Sequence, residues 1–130
     1  MTQLLPEEVK IAKEYKLSKL LTKDTPYEYF YRVLCITVDW DYISRNQKLS
    51  EAFIERYANN VDWFWISEYQ KLSEAFIEKY EDKVDWFCIS EYQKLSEAFI
   101  EKYANKVDWL CISECQKLST KFRKKWKEKL

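Results

Sequence analysis

The stretch VDWFCISEYQKLSEAFIEKYANK, residues 84–106, decides the fold of this 130-residue chain. Its motif recurs with a period of 23 residues, in copies that begin at Val38, Val61, Val84 and Val107. A fixed period of this length is typical of stacked arrays in which each small unit packs against its neighbours. We therefore expect a tandem-repeat protein rather than a domain built around one globular core.

Each copy of the repeat predicts two short helices, which we call helix A and helix B. In the second copy, Asp62 is a good N-cap for helix A over about 63–70, and Ser73 for helix B over about 74–80. Apolar residues occupy the staple positions around both caps: Val61 with Ile66, and Leu72 with Ile77. Helices this short need packing partners to be stable. The sequence predicts an all-α tandem helical-hairpin repeat, α-solenoid-like, with capping helices at both ends.

The two ends of the array differ from the repeats. Residues 7–22 predict an amphipathic helix, and Thr25 is expected to cap a second helix with Pro26 in its first turn. In the final copy Phe122 and Trp126 keep the core positions, whereas lysines and an arginine replace the outer ones. We expect a single domain of residues 1–130: an N-terminal helical cap (1–37), the repeats (38–116) and a basic C-terminal cap helix (117–130).

Composition argues against catalysis. The chain contains neither glycine nor histidine. It therefore lacks phosphate-cradling glycine loops, and it lacks the commonest general base and metal ligand. Cys88, Cys111 and Cys115 are expected to pack on the inner faces of A helices as free thiols, without the spacing of a metal site. The sequence predicts a protein that is not an enzyme and has no catalytic residues, cofactor or metal.

Charge is unevenly distributed although the formal net charge is zero. Residues 38–116 carry nine basic and sixteen acidic side chains, whereas residues 117–130 carry seven basic and one acidic. The chain shows no signal-peptide pattern and no apolar run long enough to span a bilayer. We expect no membrane contact and a cytoplasmic location, which for a viral protein means the host cytoplasm.

The fourth position of the repeat predicts a candidate partner-binding ridge. It lies away from the apolar face of helix A and holds one large apolar residue in each of three copies: Phe64, Phe87 and Leu110. Exposed rows of apolar side chains often mark protein interfaces. The ridge has an alternative interpretation, which is packing between neighbouring repeats.

Helix B carries two glutamates four residues apart in each of three copies, and they form a column along the array: Glu51, Glu55, Glu74, Glu78, Glu97 and Glu101. Such a column could steer a basic partner or mimic a nucleic-acid backbone. Its alternative is an ordinary solvated helix face. The recurring tryptophans are expected in the core, and the recurring glutamines are expected to satisfy backbone groups between repeats: Gln47, Gln70, Gln93 and Gln116.

A basic C-terminal helix suggests a second kind of contact, with nucleic acid or an acidic partner. Its cations are Lys121, Arg123, Lys124, Lys125, Lys127 and Lys129. They surround most of the helix instead of forming a one-sided patch, and the acidic repeats oppose phosphate binding. Nucleic acid is therefore the less favoured partner.

The motif VDWxxISxxQKLSExFIEKY, over residues 38–126, resembles short tryptophan-containing repeats of uncharacterised phage, giant-virus and bacterial proteins. The resemblance implies no catalytic residues, and it favours a viral source. By analogy with small viral proteins that lack enzymatic signatures, it implies inhibition of a host defence complex, in the manner of an anti-CRISPR protein.

We therefore expect a non-catalytic protein–protein interaction module whose partner has a basic surface. Two alternatives stay open. One is a structural or self-assembling repeat protein, since a repeat face can pair with its own copy and form a homo-oligomer. The other is nucleic-acid binding through the basic C-terminal helix.

Overall fold

A computed structural model describes residues 2–130. Within that range the chain is all-helical: besides a 3₁₀ turn at Ser18–Leu20 it forms α1 (Pro6–Glu14), α2 (Tyr27–Thr37), α3 (Trp40–Asn46), α4 (Glu51–Arg56), α5 (Trp63–Tyr69), α6 (Glu74–Lys79), α7 (Trp86–Tyr92), α8 (Glu97–Lys102), α9 (Trp109–Cys115) and α10 (Thr120–Lys125). The fold is a tandem helical-hairpin repeat, as predicted. By its internal contacts the chain forms two compact units, Met1–Asp62 and Trp63–Leu130.

The helix boundaries follow the predicted caps. Ser73 accepts a hydrogen bond from the Phe76 amide at the start of α6, and Asp85 accepts one from the Cys88 amide at the start of α7. The same two caps recur one period later, in Ser96 and Asp108. Helices A and B begin at the predicted residues and end within one residue of the predicted bounds. Caps and staples fix where each helix begins.

The staple residues form the core of each repeat. Val84, Ile89, Leu95 and Ile100 are all buried, and both isoleucines are fully inaccessible. Trp86 is half-buried and packs on this core, with its ring 5.1 Å from that of Tyr103. The indole of Trp86 also donates to the Glu81 carbonyl at 3.0 Å, beyond the end of the preceding B helix. The tryptophan thus packs its own hairpin and satisfies a backbone group of the one before.

The N-terminal cap departs from the sequence prediction. Helix α1 ends at Glu14 instead of reaching residue 22, and Lys16 has a φ of 60°. A left-handed residue ends a helix even where apolar residues continue the pattern beyond it. The N-cap of α2 is Pro26, which makes no side-chain cap bond, so Thr25 does not cap this helix.

A buried carboxylate joins the N-terminal cap to the first repeat. Glu8 is completely buried and accepts hydrogen bonds from the Leu5 amide at 2.8 Å, the Tyr27 hydroxyl at 2.8 Å and the Tyr57 hydroxyl. The guanidinium of Arg56 pairs with it at 2.6 Å. Both carboxylate oxygens are therefore occupied, which is the condition under which a buried charge is tolerated.

The buried side of helix A also differs from its predicted apolar face. Cys115, expected to pack inward, is exposed, and so is Tyr69 of α5. The inward positions belong to Ile66, Ser67 and Gln70, of which the two polar residues are as buried as the isoleucine or nearly so. Hydrophobicity alone could not identify this face, because serine and glutamine are buried here for their hydrogen bonds.

No helix in residues 2–130 combines the length and the apolar character that a bilayer crossing requires.

Candidate protein-binding surface

The predicted ridge lies on three neighbouring A helices. Helix α5 packs against α7, and α7 packs against α9. The side chains at the fourth repeat position are exposed on all three: Phe64 to 45%, Phe87 to 52% and Leu110 to 68%. The ridge is therefore not buried between neighbouring repeats, because about half or more of each of these residues stays accessible.

Two tyrosines that the sequence analysis missed extend this apolar surface. Tyr69 is 56% exposed and Tyr92 is 52% exposed, at equivalent positions of α5 and α7. The ring of Trp65 lies 5.6 Å from that of Tyr69 and 4.9 Å from that of Phe64. Aromatic side chains are enriched at the centres of protein interfaces because they offer large area with few rotatable bonds.

Carboxylates lie beside the aromatic residues. Glu68, Glu91 and Glu114 occupy one position of α5, α7 and α9, and none of these three helices contains a lysine or an arginine. A hydrogen bond from the Tyr92 hydroxyl to Glu68 raises the pKa of Tyr92 to about 12. We call this surface the aromatic-acidic face; it consists of Phe64, Glu68, Tyr69, Phe87, Glu91, Tyr92, Leu110 and Glu114.

The glutamates of the B helices are used within the array. Glu74 accepts from the Ser96 amide at 2.6 Å and from the Ser96 hydroxyl at 3.0 Å. Glu97 binds Ser119 with the same two distances. These carboxylates hold the N-cap of the following B helix, so they are bound to the next repeat before any partner arrives.

The second glutamate of each pair forms a salt bridge to the next repeat. Glu78 pairs with Lys102 at 2.6 Å, and Glu101 pairs with Lys125 at 3.2 Å. The pKa of Glu101 is lowered, chiefly by a hydrogen bond from Trp126. The remaining predicted pair, Glu51 and Glu55, also interacts with other groups of the protein. The predicted column thus lies on different helices from the ridge.

Gln93 and Gln116 bind the backbone of the preceding repeat, as predicted, whereas the Gln47 amide donates to the Glu14 carboxylate at 2.7 Å. The amide nitrogen of Gln93 donates to the carbonyls of Ser67 at 2.9 Å and Gln70 at 2.7 Å, and its oxygen accepts from the Leu72 amide at 3.1 Å. Gln116 repeats all three bonds one period later. We call this set of three bonds the glutamine clamp.

Serine makes a further link between repeats. The Ser67 hydroxyl donates to the Trp63 carbonyl at 2.7 Å and accepts from the Asp85 amide at 2.9 Å. Ser90 does the same with Trp86 and Asp108. Two buried polar side chains per repeat therefore set the distance and the phase between neighbouring hairpins.

The basic residues predicted for the C-terminal helix are all exposed: Lys121, Arg123, Lys124, Lys125, Lys127 and Lys129. Helix α10 is shorter than the predicted 117–130, because it begins after the Ser119 N-cap and ends at Lys125, so Lys127 and Lys129 lie beyond it. Lys125 is engaged by Glu101, and the Arg123 guanidinium reaches the Ser113 carbonyl at 3.4 Å.

Cys88 and Cys111 show no feature of a reactive site. Burial, followed by the nearby cap aspartates, raises the pKa of Cys88 to about 12 and that of Cys111 to about 11. Both thiols therefore stay protonated at neutral pH and are poor nucleophiles. In the described part of the chain, no three acidic or cysteine side chains are grouped to hold a metal ion.

A cavity of about 580 Å³ opens in the N-terminal unit, between the side chains of Tyr27, Tyr31, Cys35 and Arg56. Its second arginine, Arg32, lines the cavity beside Glu28, while Arg56 is held by Glu8.

Comparison of the chain with protein-family models, curated proteins and solved structures found no match.

Proposed function

We propose that this chain is a non-catalytic protein-binding module and that the aromatic-acidic face is its contact surface. The observation that carries the proposal is the row of Phe64, Phe87 and Leu110, one exposed apolar side chain per repeat on helices that pack side by side. A soluble protein keeps such a row exposed at some risk of aggregation, and rows of this kind commonly serve as interfaces.

The charge of the face favours a partner that is both apolar and basic. Carboxylates flank the ridge on all three helices, and those helices carry no cation. Lysine and arginine on the partner would meet the carboxylates while apolar side chains cover the rings, which gives specificity and faster association. The resemblance to viral repeats supports a host protein as the partner, and inhibition of a host complex as the outcome.

Selection from a displayed library of helical peptides tests the surface before any partner is identified. We expect the selected peptides to be rich in lysine, arginine and aromatic residues. Their affinity should fall about tenfold or more with Phe87→Ala, since buried interface aromatics commonly contribute about 2 kcal/mol.

Ile36→Ala is the matched control for that experiment, because Ile36 is also a large exposed apolar residue but lies on α2. It should leave the affinity unchanged. Selection of acidic peptides, or equal affinity for the Phe87→Ala variant, would reject the aromatic-acidic face. For an identified host partner, affinity capture with the same two variants gives the corresponding comparison.

A further inference from the structure

One carboxylate of the aromatic-acidic face lies between two aromatic residues. Phe64 and Glu68 are four residues apart on α5, so their side chains are neighbours on the helix surface. The Tyr92 hydroxyl of α7 donates to the Glu68 carboxylate, which brings a second ring beside it. Both aromatic residues are about half exposed, and Glu68 is partly buried. We call these three residues the Glu68 site.

The Phe64 ring of this site is supported from within the same helix. The ring of Trp65 lies 4.9 Å from it at an angle of 80°, which is the edge-to-face contact that aromatic pairs favour. Trp65 is itself half-buried and contacts Tyr69. The Phe64 ring is therefore oriented before a partner arrives, and a side chain that is already ordered loses less entropy on binding.

The junction between α7 and α9 carries the same charge but fewer rings. Its equivalents of the Glu68 site are Phe87, Glu91 and Cys115. The residue that corresponds to Trp65 is the buried Cys88. This junction keeps a carboxylate and one ring but lacks both the second ring and the support of the first, so it is a matched control for the Glu68 site.

A carboxylate flanked by rings suits a guanidinium better than an ammonium group. The planar guanidinium can lie on an aromatic face while its edge donates two hydrogen bonds to a carboxylate. The faces of aromatic rings also attract cations. The lysine ammonium is a compact charge that is more strongly hydrated, and it offers no flat surface to a ring. The chemistry of the Glu68 site therefore favours arginine over lysine.

We propose that the Glu68 site binds an arginine side chain of the partner protein, with its guanidinium paired to Glu68 and packed against the rings of Phe64 and Tyr92. This inference rests on the proposed function, because it names the residue by which the partner of the aromatic-acidic face is recognised. Apolar side chains of the same partner then cover Phe87 and Leu110 on the neighbouring helices.

Parallel peptide selections test for the arginine. One displayed library of helical peptides, with lysine and arginine encoded equally often, is selected on the unaltered protein, on Glu68→Gln and on Glu91→Gln. We expect arginine at one fixed position in peptides selected by the unaltered protein and by Glu91→Gln, and no such preference on Glu68→Gln. An arginine preference that survives Glu68→Gln, or equal use of lysine at that position, would overturn the inference.

The affinity of one selected peptide measures the coupling between its arginine and Glu68. Citrulline keeps the shape of arginine but carries no charge. This replacement should weaken binding to the unaltered protein about tenfold or more, and binding to Glu68→Gln less than about twofold, because the pair is already broken there. An equal loss on both proteins would show that the arginine does not contact Glu68.

A gain of binding is the complementary test. Cys115→Tyr supplies the ring that the second junction lacks, beside Glu91, so it should select peptides with a second fixed arginine. The absence of a second arginine would contradict the role given to Tyr92. Circular dichroism of each variant checks that it folds like the unaltered chain.

Phe87→Ala separates this inference from the proposed contact surface, because Phe87 lies outside the Glu68 site. A peptide whose affinity falls with Phe87→Ala but shows no coupling to Glu68 would reject the arginine site and leave the contact surface intact. A peptide that shows the coupling but binds Phe87→Ala equally well would support the arginine site and reject the ridge.

Discussion

At the scale of single residues, buried polar side chains determine this structure as much as the apolar ones do. Glu8, Ser67 and Gln93 are all buried, and each binds several groups from other parts of the chain. A buried polar group with every bond made fixes one arrangement, since any displacement leaves groups unsatisfied at a cost of about 1–3 kcal/mol each.

Glu8→Gln should strongly destabilise the N-terminal unit. A carboxamide keeps the shape but leaves Arg56 without its counter-ion and removes an acceptor from Tyr27 or Tyr57. Breaking a buried ion pair typically costs about 3–5 kcal/mol. Urea unfolding measures this loss, and the exposed Glu28→Gln is the control. A loss below about 1 kcal/mol would show that the Glu8 contacts contribute little.

Alkaline pH should destabilise the protein through its shifted phenols and thiols. The pKa of Tyr92 rises from 10.0 to about 12 through its bond to Glu68, and that of Cys88 rises from 9.0 to about 12 through burial. Because folding favours the protonated forms, their contribution is complete below the ordinary pKa values and is lost as pH rises towards 12.

Urea unfolding at about pH 8 and about pH 11 should therefore show a lower midpoint at the higher pH. Phenolate absorbance gives a direct check, since Tyr92→Phe should remove one of the late-titrating tyrosines. An equal or higher midpoint at the alkaline pH would contradict this origin of the pKa shifts.

At the scale of helices, local signals predicted most of the array. Caps and staples lie within six residues of each other, so they specify a short hairpin wherever they recur. The end of α1 at Glu14 was missed because no glycine or proline lies close to Lys16 in the sequence, and a left-handed lysine has no sequence signature.

The candidate surface was predicted only in part, for a similar reason. The position of Phe87 on helix A follows from the helical period, and the ridge could be named from it. The bond between Tyr92 and Glu68 joins residues of adjacent helices, which only the packing of α5 on α7 brings together. The recurring glutamate and the lack of cations in α5, α7 and α9 were the available signals.

Gln93→Ala should break the junction between α5 and α7. The change leaves two carbonyls and one amide of the preceding repeat without their partner, at a total of about 3 kcal/mol or more. Lys94→Ala, at the adjacent exposed position, should stay within about 0.5 kcal/mol of the unaltered chain. Equal midpoints for the two variants in urea would mean that the clamp is not a source of stability.

At the scale of the whole molecule, the repeats behave as interchangeable units. The bonds that Gln93 makes to its predecessor are made by Gln116 with the same three distances. In such arrays stability is close to a sum over units and their junctions.

Removal of residues 84–106 should give a shorter protein that still folds. Gln116 would then stand where Gln93 does now, and Lys125 would meet Glu78. The midpoint should fall, because one hairpin and one junction are lost, but unfolding should stay cooperative. Removal of residues 84–105 is the control: it differs by one residue, rotates every later clamp out of phase, and should give weaker near-UV circular dichroism than the 23-residue deletion. Similar spectra for both deletions would refute a junction set by phase.

The identical junctions also have a consequence for the gene. A crossover between two copies of the repeat brings together a serine and a glutamine that were not neighbours in the original protein. They can still form the bond that Gln93 makes to Ser67 and Gln116 makes to Ser90. Copy number can therefore vary by recombination without new selection for folding. Position four (Phe64, Phe87, Leu110) and position nine (Tyr69, Tyr92, Cys115) lie outside every junction bond described for Ser67, Gln93 and Gln116. They can therefore diversify between copies while the array stays intact.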